Sequence, residues 1–258
     1  MPAHLRDILS YLDTTLEIGG FRDYAPNGLQ VEGAPEIDQI VTGVSASAAL
    51  LEAAVERSAD LVIVHHGLIW GGGLARVDGP LARRMKLLLI HDVSLAAYHL
   101  PLDKHPRLGN NAGLADALGL EAERTWFGDV RGVPLGLAGA WPAPLPRDEA
   151  LARIGAAVCG GAAPRFVFPY GPAVVRRVGL CTGAASDLLE DAARAGCDLF
   201  LTGELAERAG ELAQELQITL VAAGHYATEV FGPQRLAEEL RTRFPAVSAQ
   251  FVEMPSPL

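Results

Sequence analysis

The chain has few cysteines and no excess of basic charge, and each shortage argues against a class of protein. Three cysteines occur in 258 residues, they show no CxxC spacing, and no disulfide is needed to hold a chain of this length together. With 21 Lys and Arg against 31 Asp and Glu, the formal net charge is −10, and no basic cluster provides the stripe that nucleic acids require. We therefore expect no nucleic-acid partner and three reduced thiols, at Cys159, Cys181 and Cys197.

Long apolar runs are also missing. The longest, such as LVIV and LLLI, are too short to span a bilayer, and the opening MPAHLRDILSYLDTTLE places charges where a signal peptide would have an apolar core. The sequence has no GxSxG motif and no Cys-His pairing in a supporting context, so covalent nucleophilic catalysis is not indicated. We expect a cytoplasmic protein without a membrane partner.

Half of the residues are apolar, and short β-rich segments alternate with helical patterns, as in QIVTGVS, SAALLEAAVERS, DLVIV and PLARRMKLLLI. This alternation is typical of βαβ units, and it predicts an α/β fold with mainly parallel sheets covered by helices. The proline-rich WPAPLPR predicts a loop, with Pro146 just before or at the start of the helix DEALARIGAAV. The run 71–73, three glycines, predicts a turn.

The sequence contains a weak internal duplication. LLEAAVERSADLVIV, residues 50–64, aligns without gaps on LLEDAARAGCDLFLT, residues 188–202, and SLAAYHLPLD, residues 94–103, aligns on LVAAGHYATE, residues 220–229. Chance similarity between Ala/Leu-rich helices is the alternative explanation. We interpret the alignment as two similar, intertwined halves, 1–126 and 127–258, with the C-terminal segment packing back on the first half.

Histidines follow three of the predicted strands. His65 and His66 follow DLVIV, His99 follows SLAAY, and His225 follows ITLVAAG. Because ligands bind at the carboxyl ends of strands in open α/β sheets, these side chains predict a site there. His65 and His66 are adjacent, so at a strand end we expect their side chains to diverge, and both can be ligands only if two metals or a bent loop receive them.

Acidic residues accompany two of these histidines. His225 and Glu229 are four residues apart and share one face if the segment is helical. Pro101 predicts that HLPLD is a loop or the entry to a turn, from which Asp103 can still reach a cation. Such pairs are common as solvated surface pairs, and a histidine pair often has no ligand. Their occurrence at two related strand ends favours a metal site, and imidazole with carboxylate suits Zn, Mn, Fe or Co. Glu204 of TGE stands where the second half aligns with the histidine pair.

Five stretches run in order through most of the chain: YAPNGLQVEG (24–33), TGVSASAALLEAAVERSADLVIVHHGLIW (42–70), YHLPLDKHPRLGNNAGLADALG (98–119), TGAASDLLEDAARAGCDLFLTGE (182–204) and AAGHYATEVFG (222–232). Through these stretches the sequence resembles the GTP cyclohydrolase 1 type 2 homologue family, also called NGG-interacting factor 3-like proteins, with a weaker match over about residues 120–177.

The resemblance implies two divalent metal ions per chain. One ion would be bound by His66, Asp103 and Glu229, and the other by His65, His225 and the bridging Glu229. It also implies a homohexamer, a trimer of dimers with the sites facing an interior cavity. Two departures from the family pattern are present: the chain lacks a central insert that longer relatives carry, and Ser45 stands where many relatives have an acidic residue.

The function that the resemblance favours is a metal-dependent hydrolase of a nucleotide or another phosphorylated small molecule. Water activated by the ions would attack the substrate, and His99 or Glu204 would transfer protons as the catalytic residues. Nothing in the sequence specifies guanine. Two alternatives remain open, a non-catalytic metal-handling protein and an interaction scaffold.

Overall fold

The computed structural model describes residues 2–71, 73–74 and 76–256, and the backbone divides into two compact units. The first comprises Met1–Leu102 and Gly232–Met254, and the second comprises Asp103–Phe231 and Pro255–Leu258. The chain therefore leaves the first unit, builds the second and returns. The halves that the duplication suggests, 1–126 and 127–258, stay a prediction. The predicted glycine turn includes Gly72, which lies outside the described residues.

Strands and helices alternate along most of the chain. The strands are β1 (Ala3–His4), β2 (Gly28–Val31), β3 (Glu36–Ile37), β4 (Gln39–Ser45), β5 (Leu61–His66), β6 (Ser94–Ala97), β7 (Ala122–Val130), β8 (Val133–Pro146), β9 (Phe166–Pro169), β10 (Val174–Cys181), β11 (Leu199–Thr202), β12 (Thr219–Ala222) and β13 (Ser248–Phe251). The helices are α1 (Leu5–Thr15), α2 (Ala48–Glu56), α3 (Gly79–Ile90), α4 (Leu100–Lys104), α5 (Asn110–Ala117), α6 (Arg147–Val158), α7 (Leu189–Arg194), α8 (Ala209–Glu215), α9 (His225–Thr228) and α10 (Phe231–Arg243), with short 3-10 turns at Ile18–Gly20 and Ser186–Leu188.

The first unit contains a five-stranded sheet in the order β13-β4-β5-β6-β2, in which only β2 is antiparallel to its neighbour. Helix α2 begins after Ser47, whose hydroxyl accepts a hydrogen bond from the Leu50 amide at 3.2 Å. Its leucines, Leu50 and Leu51, are buried against Val62 and Val64 of the sheet. Burial of each such side chain contributes about 1.5–3 kcal/mol, so this contact fixes the helix on the sheet.

The second unit contains a six-stranded mixed sheet in the order β7-β8-β10-β11-β12-β9. Strands β10, β11 and β12 are parallel, and β7, β8 and β9 are antiparallel to their neighbours. In both units three parallel strands alternate with two helices, in the order β4-α2-β5-α3-β6 in the first and β10-α7-β11-α8-β12 in the second. The α/β fold with two similar halves is therefore confirmed, and the segments that align in the sequence fold alike.

Two local predictions are wrong, both at prolines. WPAPLPR is the end of the long strand β8 and not a loop. Pairing with β7 stops at Ala140, and Pro142, Pro144 and Pro146 follow at alternate positions of a segment whose pairing with β10 is also irregular. Proline is tolerated there because these positions lie at a strand edge. HLPLD is not a loop either, because helix α4 begins at Leu100 and proline is accepted in a first turn.

Other predictions hold. Pro146 is the residue that precedes helix α6, as predicted. All three cysteines are free thiols, and Cys181 and Cys197 are buried. Within the part of the chain that the structure describes, every helix is too short or too polar to cross a membrane.

Candidate metal centre

His65 is held in one orientation at the end of β5. Its side chain is fully buried, and Nδ1 lies 2.9 Å from the carbonyl oxygen of Tyr98. Because a carbonyl can only accept, Nδ1 carries the proton, and the lone pair of the neutral ring is on Nε2. Tyr98 is itself fixed, since its hydroxyl donates to Asp13 at 2.8 Å. This backbone partner is the kind that orients a metal-binding imidazole.

The three histidines of the first unit come together. The ring centroids of His65 and His66 are 4.5 Å apart, and that of His99 is 5.0 Å from His65 and 5.6 Å from His66. One nitrogen from each ring lies within 4.8 Å of the others. The expectation that the adjacent His65 and His66 diverge is therefore wrong. Both residues lie in β5, but pairing of this strand with β6 ends at Val64, so the regular alternation of side chains is relaxed beyond it.

Asp23 orients His99, and the sequence analysis missed this residue. Its carboxylate accepts a hydrogen bond from Nδ1 of His99 at 2.7 Å and from the Leu100 amide at 2.9 Å. Asn27 donates to the same carboxylate at 2.9 Å and accepts from the His99 amide at 2.8 Å. Burial raises the pKa of Asp23, but the hydrogen bonds and charge of His99 and the other donors outweigh it and lower the pKa below its usual value.

Asp103 is buried in the second unit, at the end of α4. Its Oδ1 accepts hydrogen bonds from Nδ2 of Asn110 at 2.9 Å and from the hydroxyl of Thr182 at 3.2 Å. Thr182 is in turn fixed through its amide, which donates to Asn111 at 2.9 Å. Two neutral donors on one oxygen orient the carboxylate without neutralising its charge. An oxygen ligand for a cation is therefore preformed at this position.

Glu229 and His225 lie together on the single turn of α9, as the i, i+4 spacing predicts. Nε2 of His225 is 3.1 Å from Oε2 of Glu229, and Glu229 is only 3% exposed. Gly183 lies against this carboxylate with a positive φ of 68°, and a Cβ there would come within 2.2 Å of Oε1 of Glu229. Only glycine fits at this position, because any side chain would displace the carboxylate.

Glu204 extends this pair. Its Oε1 accepts a hydrogen bond from Nδ1 of His225 at 2.7 Å, so the imidazole is placed between two carboxylates. Burial lowers the pKa of His225, but Glu229 and Glu204 together raise it to about 9. At neutral pH both nitrogens of the ring are therefore protonated in the metal-free protein, and the ring is positively charged. A cation next to Glu229 would displace one of these protons, because a coordinating imidazole must offer a lone pair.

The remaining histidines, His4, His91 and His105, lie outside these contacts, at helix ends or in a local turn. Nδ1 of His4 accepts from the Arg6 amide at the start of α1, and His91 ends α3. Nδ1 of His105 accepts from the Leu108 amide at 2.9 Å. The candidate ligands are thus distributed between two clusters, which we call the imidazole cluster (His65, His66 and His99) and the carboxylate cluster (Asp103, Glu204, His225 and Glu229).

Comparison with known proteins identifies the family. Residues 3–257 match the family model described as Duf34/NIF3 (NGG1p interacting factor 3). The chain belongs to the Duf34/NIF3 family. A relative from Pseudomonas aeruginosa is 43% identical over 258 residues and covers all of both chains, and one from Escherichia coli K12 is 42% identical over 246 residues, 95% of this chain and 96% of that one. Both are named GTP cyclohydrolase 1 type 2 homolog.

Several solved structures have the same fold. A protein named ybgI, described as of unknown function, superposes with a TM-score of 0.90 at 40% identity over 99% of this chain and 100% of that one. A protein of Thermus thermophilus superposes with a TM-score of 0.88 at 34% identity, with the same coverage. The reduced HcgD of Methanocaldococcus jannaschii, at 22% identity and a TM-score of 0.84, supports the fold alone.

Ser45 is a point at which this NIF3 chain departs from the pattern expected for the family. It is the last residue of β4, and its hydroxyl lies 3.0 Å from Nδ1 of His66. A hydroxyl can donate to or accept from the ring, so it fixes the orientation of His66 less strictly than a carboxylate would. The position therefore retains a partner for the histidine but brings no negative charge.

Proposed function

We propose that this NIF3 protein binds two divalent metal ions through His65, His66, Asp103, His225 and Glu229. The observation that carries the proposal is that each cluster contains buried ligand atoms whose orientation is fixed by neighbouring groups: a carbonyl on His65, donors on Asp103 and a carboxylate on His225. Family resemblance supports assigning all five residues to one centre, with Glu229 bridging. Three imidazoles and two carboxylates suit Zn, Fe, Mn or Co.

We further propose that the centre hydrolyses a nucleotide or another phosphorylated small molecule. When bound, two divalent ions would lower the pKa of a water molecule and stabilise negative charge on the substrate. The name of the relatives, GTP cyclohydrolase 1 type 2 homolog, supports a nucleotide as substrate. A cytoplasmic location and a homohexamer, as the sequence leads us to expect, belong to the same proposal.

Two side chains are suited to hold or transfer protons. His99 is oriented by Asp23 through Nδ1, which leaves Nε2 as the nitrogen that would exchange a proton with substrate or water. Glu204 is fixed through Oε1 by His225, which leaves Oε2 for the same task. Neither residue is needed as a metal ligand in the assignment above. Substitution of either residue therefore tests whether the centre is catalytic or only binds metal.

Metal titration of the full-length protein tests the first proposal. We expect about two ions per chain with Zn, Mn, Fe or Co, measured by calorimetry and by elemental analysis after desalting. Glu190→Gln, an exposed substitution outside both clusters, should leave the stoichiometry unchanged. Failure to retain any ion would overturn the metal assignment.

A nucleotide panel that includes GTP, assayed with each metal, tests the second proposal. We expect phosphate or ring-opened product with at least one metal, and about 100-fold or greater loss in His99→Gln or Glu204→Gln at unchanged metal content. Full metal occupancy without turnover on any compound would instead favour the metal-handling alternative.

A further inference from the structure

A cavity of about 560 Å³ lies in the second unit beside Glu204. This volume is within the range of pockets that enclose small organic ligands. Phe166 and Phe168 line it together, because alternate residues of strand β9 have side chains on the same face. The chain segments that follow β11 and β12 also line it, through Gly203 and Gly224. The cavity is thus built at the carboxyl ends of parallel strands, where α/β proteins bind ligands.

The aromatic side chains of the cavity are restrained. Gly210 of α8 lies so close to Phe168 that a Cβ there would be 2.6 Å from the ring, so the ring packs directly on the helix backbone. The guanidinium carbon of Arg165 lies 5.5 Å from the centroid of the Phe166 ring. A preformed aromatic surface of this kind favours a flat ligand, because stacking on it requires little reordering of side chains.

The charged groups of the cavity select against anions. Glu204 and Glu207 contribute two carboxylates, and Arg165 contributes one guanidinium. Oε1 of Glu204 accepts from His225, and no described residue forms a hydrogen bond to its Oε2. A ligand that donates an N–H to Oε2 would gain a charge-assisted hydrogen bond. A phosphate group in the same place would meet net negative charge.

We propose that this cavity binds the ring of the substrate, a planar nitrogen heterocycle whose amino group donates to Oε2 of Glu204 while the ring stacks on Phe168. In this assignment Glu204 holds the ring, and proton transfer falls to His99. Any phosphate of the substrate lies outside the cavity. The inference rests on the proposed function, because it names the part of the substrate that this side of the centre recognises. His225 connects the two, since its Nδ1 bonds to Glu204 and its Nε2 faces Glu229.

Calorimetry with small probes on the full-length protein tests the inference, in metal-free and metal-loaded form. The probe is 2-aminobenzimidazole, and the comparison compounds are benzimidazole, which lacks the amino group, and benzoate, which is an anion. We expect the probe to bind both forms of the protein, benzimidazole to bind about tenfold more weakly, and benzoate to give no heat.

Two variants locate the binding. Glu204→Gln should lower the affinity for the probe by about tenfold or more because the negative charge is lost. Phe168→Ala should lower it by a similar factor because the stacking surface is lost. Phe168→Leu, which keeps an apolar side chain on Gly210, replaces Phe168→Ala if the latter unfolds. Glu215→Gln, exposed at the end of α8 and outside the cavity, is the matched control and should bind normally.

The outcomes separate this inference from the proposed function. Probe affinity that is unchanged in both Glu204→Gln and Phe168→Ala, or benzoate binding as tight as that of the probe, would overturn the assignment of the cavity. Failure of the protein to retain any metal after loading would overturn the metal assignment, and probe binding by that same protein would leave the assignment of the cavity intact. Phe168→Ala should keep its full metal content, because Phe168 belongs to neither cluster.

Discussion

The two units carry candidate ligands at equivalent strand ends, yet the residues at these strand ends differ in part. His99 follows β6 and His225 follows β12, at positions that align in the internal duplication, and Asp103 aligns with Glu229. In the first unit the partner of the histidine is Asp23, from a loop outside the duplication. In the second unit it is Glu204, which lies two residues beyond the end of β11. The aligned histidines and carboxylates are thus kept, whereas Glu204 stands at the position that aligns with His66 of the first unit.

The difference separates two tasks. The imidazole cluster supplies nitrogen ligands, which favour transition metals over calcium or magnesium. The carboxylate cluster supplies negative charge, which attracts any divalent cation and which in the metal-free protein is partly balanced by the proton on His225. We therefore expect affinity to depend mainly on the carboxylate cluster and metal preference mainly on the imidazole cluster.

The largest expected effect comes from Glu229. Glu229→Gln keeps the shape of the side chain but removes the bridging charge, so both ions should be lost, with affinity lowered by more than about 100-fold, since loss of an outer partner alone costs about 10–100-fold. His66→Gln should release only one ion. Elemental analysis after desalting compares the two variants. Equal retention by both would contradict a bridging role for Glu229, and circular dichroism of the metal-free variants checks folding.

An intermediate effect comes from the proton on His225. Its pKa is raised to about 9 in the folded protein, whereas it is about 6.5 when unfolded. The resulting stabilisation is fully present below about pH 6.5 and is lost as the pH rises through 9. Metal-free protein should therefore lose about 1–3 kcal/mol of unfolding free energy across this range, while metal binding becomes tighter.

Urea denaturation at pH 6.5 and pH 9 measures this change in the metal-free protein. His225→Gln removes the titrating group and should show a clearly smaller dependence on pH. A dependence as steep as that of the unaltered protein would assign the titration to another residue. Calorimetric metal titration at the same two pH values should give the opposite trend, because bound metal displaces the proton.

The smallest expected effect comes from Ser45. Ser45→Asp would place a carboxylate next to Nδ1 of His66, making this position of the imidazole cluster resemble the carboxylate cluster and raising the basicity of the ring. We expect metal to bind about three- to tenfold more tightly. A hydrogen-bond partner of a metal ligand typically changes metal affinity by about 10–100-fold, and the effect should be smaller at this exposed position. Ser45→Ala should change affinity by no more than a few-fold. Competition with a fluorescent chelator measures both variants, and weaker binding by Ser45→Asp would show that charge here is unfavourable.

Much of the architecture follows from the sequence because it depends on local patterns. Alternation of apolar strands and helices predicts the α/β fold, and the i, i+4 spacing of His225 and Glu229 predicts their shared turn. The predictions for WPAPLPR and HLPLD were wrong because of their prolines. A proline is excluded from a strand or helix interior but is accepted at a strand edge or in the first turn of a helix. Whether such a position is an edge depends on which strands pair with it.

The partners of the histidines could not be predicted. Asp23 lies 76 residues before His99 in sequence, and Tyr98 reaches His65 through a backbone carbonyl, which has no sequence signature. The convergence of His65 and His66 likewise depends on where β5 stops pairing. Such contacts are set by tertiary packing. The only available signal for Asp23 was its position next to YAPNGLQVEG, the first stretch that resembles the family.

The proline-bearing end of β8 has a further consequence, for aggregation. Beyond Ala140 this strand has no neighbour on the side of β7 among the described residues, and a free strand edge is a place where another chain can add by backbone hydrogen bonding. Pro142, Pro144 and Pro146 have no N–H to offer, so an incoming strand would find a donor missing at every second position. The prolines that make this segment resemble a loop in the sequence therefore protect the strand edge against intermolecular sheet growth.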